Sequence, residues 1–164
     1  AKVDVLGIWE KTLPEVPATE DDLLAVEKMI GHRLDAAHRA FLGHANGWRS
    51  LRGSTSVLGT SDLAGGGLAD VVSMLVETLE PIEDLCGYRS SELVPIAVSE
   101  DDIGVVLQVR PRAEDAGKVL WFAGGLVETF AGFDDWFLMM VDSVRADYHE
   151  IVNGNSGVIP TTTP

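Results

Sequence analysis

Cysteine is nearly absent from this chain, since Cys86 is the only one among its 164 residues. A lone thiol has no partner for an internal disulfide, which fits a reducing compartment. Long hydrophobic runs are also missing, because no apolar stretch approaches the roughly 18 residues that span a bilayer. The amino terminus lacks the basic and then apolar pattern of a secretory signal. These absences predict a soluble, cytoplasmic protein that does not bind a membrane.

Basic residues are scarce, with 12 Lys and Arg against 26 Asp and Glu, which gives a formal charge of −14. Such a negative field repels nucleic acid and anionic membranes. A basic protein partner is its natural complement, whereas many proteins are acidic for solubility alone. Both explanations of the charge stay open at this point.

The length and the 46% hydrophobic content are typical of one domain that can bury its own core. We therefore predict a single domain over residues 1–152. Residues 153–164, rich in Gly, Thr and Asn, have little to bury and are predicted to form a flexible tail.

Two amphipathic helices are predicted between residues 18 and 48. Thr19, with Asp22 three residues later, is typical of a capping box, so the first helix should begin near Glu20. Gly31 offers it a left-handed stop. The second helix is indicated by apolar residues at helical spacing that lead up to the pair Asn46-Gly47: Ala37, Phe41 and Ala45.

Four short β-rich runs follow residue 93: LVPIAV, IGVVLQV, KVLWF and LVETF. Their connections are too short for parallel crossovers, so they should form an antiparallel meander of sequence neighbours. Apolar residues at three- and four-residue steps from Phe133 to Tyr148 then predict a helix that lies on the sheet. The predicted fold class is α+β, an antiparallel meander sheet flanked by helices.

The other segments carry weaker patterns. Helices are predicted over residues 3–13 and 68–79, and a brief strand over residues 54–58. Residues 61–67 contain too much glycine for regular structure.

A series of motifs occurs in order along the chain: Glu27, Gly31, Leu34, Phe41-Leu42, Asn46-Gly47, LVPIAVSEDD at 93–102 and FAGFDDWFLMM at 130–140. Together they resemble the SUKH superfamily, which includes Smi/Knr-type cell-wall regulators of fungi and many bacterial immunity proteins. We predict that the chain is not an enzyme, with a hydrolase that has a cryptic carboxylate site as the last-ranked alternative, and the resemblance implies a SUKH-like single domain. It also implies an immunity protein that binds and neutralises a polymorphic or contact-dependent toxin, often a nuclease. The alternative is a regulatory protein-interaction scaffold like that of the fungal branch. Asp35 stands where the family usually has proline, and Trp48 where a small residue is commoner.

We predict no metal, cofactor or catalytic residue. His32, His38 and His44 are six residues apart, which spreads their side chains around a helix, and His149 is remote. No Gly-x-Ser-x-Gly elbow is present, and Cys86 has no neighbouring histidine pattern. The acidic groups at residues 80–84 and 100–102 have ligands that a divalent cation could use, but the second lies at a predicted hairpin turn, where solvated acids are common.

An acidic rim is predicted at one end of the sheet. Glu114 and Asp115 lie between the second and third predicted strands, and Asp134 and Asp135 follow the fourth. Alternate connections of a meander emerge at the same end, so these carboxylates should share it. Such a rim could steer and pair with a basic toxin. The alternative is a solvated edge in which the last two acids favour the start of the helix.

Two further residues each have two interpretations. Trp48, beside Gly47 in a predicted polar loop, is of a type enriched at binding hot spots; the alternative is that it closes one end of the core. Glu27 suits either a helix-surface acid or a buried hydrogen-bonding role, and we assign it no catalysis.

Overall fold

The structure, a computed structural model, describes residues 12–101, 103–111 and 115–152, with side chains to residue 150. Most of the helix predicted over residues 3–13 lies outside these described residues. The tail predicted over residues 153–164 lies outside them as well.

Six strands of the described residues form one antiparallel sheet whose spatial order is the order of the chain. This confirms the predicted α+β class and the meander. The last four strands are the four β-rich runs of the sequence, and β2 is the brief strand predicted over residues 54–58. The strand β1 was not predicted. The strands are β1 Trp48–Arg52, β2 Thr55–Val57, β3 Leu93–Ser99, β4 Gly104–Val109, β5 Val119–Ala123 and β6 Leu126–Phe130.

Six α-helices and one 3₁₀ turn, Ser90–Glu92, surround the sheet within the described residues. Helices α4 and α6 confirm two predictions. Helix α3 contradicts the prediction of irregular structure over residues 61–67, and α2 ends at Leu42 instead of continuing to Asn46-Gly47. The helices are α1 Glu20–Ile30, α2 Ala36–Leu42, α3 Thr60–Leu63, α4 Ala69–Thr78, α5 Ile82–Cys86 and α6 Phe133–Val152.

Helix α1 begins and ends where the sequence predicts. The Thr19 hydroxyl accepts a hydrogen bond from the Asp22 backbone N–H at 3.2 Å, and the Asp22 carboxylate accepts one from the Thr19 N–H at 2.9 Å. At the other end Gly31 has φ +78°, which glycine adopts without strain. These two caps satisfy backbone groups that the helix itself leaves unpaired.

The central strands β3 and β4 form the middle layer of three, because both of their faces are buried. On β4, Val105, Leu107 and Val109 face the cluster built with α4 and α5, while Val106 faces the opposite cluster. That second cluster contains the fully buried Trp136 of α6. Burial on both faces explains why the strands have nearly continuous apolar runs. The sheet therefore leaves its edges, its turns and the outer helix surfaces for contacts with other molecules.

Candidate functional site

Glu27 is a buried hydrogen-bonding residue, which decides between its two interpretations. Its side chain on α1 is only 9% exposed. Its Oε1 accepts hydrogen bonds from the Leu34 backbone N–H and from the Arg39 Nε, both at 3.1 Å. One carboxylate thus joins α1, the following loop and α2. A buried acid with a cationic partner and a backbone donor stabilises a local arrangement.

The Asn46-Gly47 pair joins the segment before β1 to the start of α3. The Asn46 side chain accepts from the Thr60 backbone N–H at 2.8 Å and donates to the Thr60 hydroxyl at 2.9 Å. A Cβ on Gly47 would lie 2.9 Å from the Gly59 nitrogen, and one on Gly59 would lie 2.3 Å from the Asn46 carbonyl oxygen. The two backbones approach so closely that only glycine fits at both positions. This signature pair therefore has a structural role.

Asp62 is the centre of a second buried network, which we did not predict. Its side chain is 1% exposed and accepts two hydrogen bonds from the Arg49 Nη2, at 2.7 and 2.8 Å. It also accepts from the backbone N–H groups of Gly59 and Leu68, both at 2.8 Å. The carboxylate closes the first turn of α3 and holds it to β1. The only local signal is an acid three residues after Gly59, since Arg49 is distant in sequence.

Trp48 is in strand β1, so its prediction in a polar loop was wrong. It pairs with Val57 of β2, a contact that the local sequence does not show. The ring is half-buried and packs against the cluster that contains Trp136. Its Nε1 donates to the Thr12 hydroxyl at 3.1 Å. A role for Trp48 as a partner anchor stays a prediction.

The topology brings Asp115, Asp134 and Asp135 to one end of the sheet. Val119, at the start of β5, pairs with Gln108 of β4 and with Phe130 of β6, so the β4–β5 connection and the start of α6 emerge together. Asp134 and Asp135 are exposed in the first turn of α6. Glu114 lies outside the described residues.

Asp115 already has two partners at this end. Its Oδ2 accepts a hydrogen bond from the Tyr88 hydroxyl and lies 3.7 Å from the Lys118 Nζ. The hydrogen bond to the carboxylate raises the pKa of Tyr88 to about 12 and lowers the pKa of Asp115. Asp115 is still about half exposed, so a partner can reach it.

The three histidines of residues 32–44 have different surroundings. His38 is fully buried, and the loss of solvation lowers its pKa to about 4, so it is neutral at pH 7. His32 and His44 each place Nδ1 near a backbone carbonyl, at 2.7 and 2.8 Å. Within the described part of the chain, no group of three or more His, Cys, Asp or Glu side chains is arranged to hold a metal ion.

The comparison with protein families matches residues 17–139 to the SMI1 / KNR4 family (SUKH-1). The chain belongs to this family. The matched region covers well over half of the chain, including all six strands and the networks around Glu27, Asn46 and Asp62. It confirms the SUKH resemblance. A search of curated proteins found no match to the chain.

SUKH-1 proteins are generally non-enzymatic immunity or regulatory proteins that act through protein–protein interaction. Among the helices that the structure describes, none is long and apolar enough to cross a membrane. The signature residues of this SUKH-1 protein stabilise its scaffold, as the hydrogen bonds of Glu27 and Asn46 show. Recognition of a partner therefore has to come from other side chains on the surface.

Proposed function

We propose that this SUKH-1 protein is an immunity protein that binds a cognate polymorphic or contact-dependent toxin and neutralises it. The observation that carries the proposal is the family match over residues 17–139. The signature residues that contribute to the fold, such as Glu27, are turned inward, which suits a scaffold that presents variable surface residues to a partner. Inhibition by binding needs one immunity protein for each toxin molecule.

The charge of −14 supports a basic toxin, and a nuclease fits it well. A nuclease needs a positive channel for its phosphate backbone, and an acidic protein is complementary to such a channel. Occupying the channel blocks the substrate without any chemistry by the inhibitor. Electrostatic attraction also accelerates association, which matters when a toxin must be captured quickly.

The contact surface that we propose is the acidic rim. Asp134 and Asp135 are exposed. Asp115 is about half exposed and lies at the same end of the meander. Glu114 lies outside the described residues and is included because it directly precedes Asp115 in the sequence. Close charge pairs across an interface contribute roughly 1.5 to 7 kcal/mol of coupling, so a few such carboxylates are enough to affect affinity.

The test is co-expression with the toxin domain encoded next to the gene. We expect growth to be restored and the two purified proteins to form a complex with equal numbers of each. An unrelated toxin domain of similar charge is the matched control, and it should remain toxic. If both proteins are folded and expressed but toxicity persists and no complex forms, the proposal is wrong.

A regulatory scaffold is the second candidate, because the matched model is named for the SMI1 / KNR4 branch. A scaffold predicts a growth or cell-wall defect when the gene is deleted in a strain that lacks any toxin. An immunity protein predicts no defect in that strain. The neighbouring genes provide a second distinction, since an adjacent toxin gene supports immunity.

A further inference from the structure

A groove of about 350 Å³ lies between the sheet and α6, where Trp136, Met140 and Asp147 line it, and it extends to the end of the sheet opposite the acidic rim. Its apolar lining includes Val106, Trp121, Trp136 and Met140. The turns β1–β2 and β3–β4 close this end, because Thr55 pairs with Ser99 and Ser99 pairs with Gly104. The volume is in the range of pockets that accept a small ligand or a large side chain.

One wall of the groove is an ion pair that is already satisfied. The Arg52 Nε lies 2.9 Å from the Asp147 Oδ2, and both side chains are partly buried. The pair is neutral, so the interior does not require a charged occupant. A neutral, mainly apolar side chain therefore fits it better than a lysine or arginine.

The surroundings of the groove are acidic. Glu128 stands opposite Trp121 in the β5–β6 pairing, on the same face of the sheet, and is exposed. Glu100 and Asp101 directly follow Ser99, and the Asp101 N–H donates to the Ser54 hydroxyl across the two turns at 3.2 Å. Arg52 is the basic residue among the groove's lining, and Asp147 neutralises it. The groove is therefore complementary to a basic surface.

The lining favours an aromatic occupant. Two indoles and the Met140 thioether contribute to the walls, and aromatic and sulfur–aromatic contacts add to simple burial. Trp136 is fully buried, and its Nε1–H has no hydrogen-bond partner among the described residues.

We propose that this groove is a second contact site for the partner, and that it receives a tyrosine or similar aromatic side chain flanked by lysine or arginine. This arrangement has an apolar anchor in a pocket and charges at its rim, as binding hot spots do. The inference rests on the proposed function, since it describes the same basic partner.

One partner can reach the groove and the acidic rim together. Asp134 and Asp147 are 13 residues apart on α6, a separation of about 20 Å along the helix axis. A standard interface buries about 800 Å² on each partner, which covers that span. Asp147 and Met140 also lie beyond the family match at residues 17–139, so part of the groove lies outside the matched region.

The test is a titration of the full-length, ¹⁵N-labelled chain with capped tripeptides, followed through the indole N–H signals in NMR spectra. Lysine-tyrosine-lysine should shift the Trp121 and Trp136 signals with millimolar affinity and leave Trp48 unchanged. Lysine-alanine-lysine and glutamate-tyrosine-glutamate are the matched peptides, and neither should produce these shifts. Substitution of each tryptophan by phenylalanine assigns the signals.

A charge reversal tests the rim of the groove. Glu128→Lys should weaken binding of lysine-tyrosine-lysine roughly two- to fivefold at low salt, because an exposed charge pair is lost. Glu77→Lys makes the same charge change on the exposed side of α4, at the opposite face of the sheet, and should leave binding unchanged.

Four results would overturn the proposal. The first is that the Trp121 and Trp136 indole signals do not shift at millimolar lysine-tyrosine-lysine. The second is that both signals shift equally with lysine-alanine-lysine. The third is a shift of both signals on dilution, which assigns the groove to a second copy of the chain. The fourth is that the two indole signals shift when residues 153–164 are removed, which assigns the groove to the chain's own tail. The peptide titration uses no toxin and the co-expression assay assumes no groove, so the two proposals fail independently.

Discussion

The imidazole of His38 lies nearly parallel to the ring of Phe133, with ring centroids 5.0 Å apart and planes inclined by 14°. This contact joins α2 to the first residue of α6 inside the core. His38 and Phe133 are 0% and 1% exposed, so both rings are shielded from solvent. The stack is therefore held by apolar packing, and a charged imidazolium is disfavoured there.

The first prediction is that His38 makes the protein less stable in mild acid. Its pKa is about 4 when folded and about 6.5 when unfolded, despite the opposing influence of Asp35 and Gln108. The unfolded chain thus binds more protons between these values, so the free energy of unfolding falls as the pH drops from about 6.5 to about 4. The total loss is about 3 kcal/mol.

Urea unfolding of the wild type and of His38→Phe at about pH 7.5 and about pH 4.5 measures this effect. The variant keeps a ring against Phe133 and removes the titrating group. The stability of the wild type relative to the variant should decrease toward the lower pH. Equal pH dependence of the two proteins would contradict the assignment to His38.

The second prediction concerns the buried acid of α1. Glu27→Ala leaves the Leu34 N–H and the Arg39 Nε without their acceptor, so we expect a loss of about 1 to 3 kcal/mol in the free energy of unfolding. Glu20→Ala is the matched control, because Glu20 also pairs with Arg39 but its side chain is 64% exposed. The control should unfold like the wild type. If the two variants are equally stable in chemical denaturation, the buried network has no special importance.

The third prediction tests the close approach of two backbones. Gly59→Ala places a Cβ 2.3 Å from the Asn46 carbonyl oxygen. Both atoms belong to or are fixed by the backbone, so one of the two segments has to move. We expect a loss of about 3 kcal/mol or more, seen as a lower thermal midpoint. Gly125→Ala meets no atom within 4 Å and should be nearly neutral. A stable Gly59→Ala protein would show that the two segments separate easily.

The fourth prediction is that the acidic rim accelerates capture of the toxin. Asp134→Asn combined with Asp135→Asn removes two exposed charges, and we expect the association rate constant to fall roughly two- to tenfold at low salt. Asp70→Asn with Glu77→Gln removes the same charge from α4 and should change the rate little. Stopped-flow kinetics at low and high salt measure both pairs, with unfolding curves to confirm that each is folded. If both double variants lower the association rate constant equally, the rate depends on net charge and not on a defined surface.

The sequence predicts those elements whose signals are local. The capping residues Thr19 and Gly31 are read from neighbours along the chain, and the meander follows from four apolar runs with short connections. Strand β1 has no such signal, because its sequence WRSLR is mostly polar. In the structure its backbone is also irregular, since Ser50 has φ +49°. It becomes a strand only through pairing with β2 and packing below α6.

The buried networks could not be predicted for a related reason. Asp62 reads as an exposed acid in a glycine-rich segment until Arg49 is placed beside it by the pairing of β1 with β2. Glu27 was ambiguous because its position at the margin of an apolar face suits both exposure and burial. The rim residues, in contrast, follow from topology alone, but their contribution to binding depends on a partner's surface.

Coverage of the sheet on both faces separates the determinants of folding from those of recognition. The central strands contain residues such as Val106 and Leu107, which are 4% and 2% exposed and are therefore shielded from any partner. The outward side chains of α6 and the hairpin turns are instead the parts that can change without disturbing this core. Exchanging those segments between SUKH-1 relatives, with the central strands unchanged, is therefore a route to altered partner specificity.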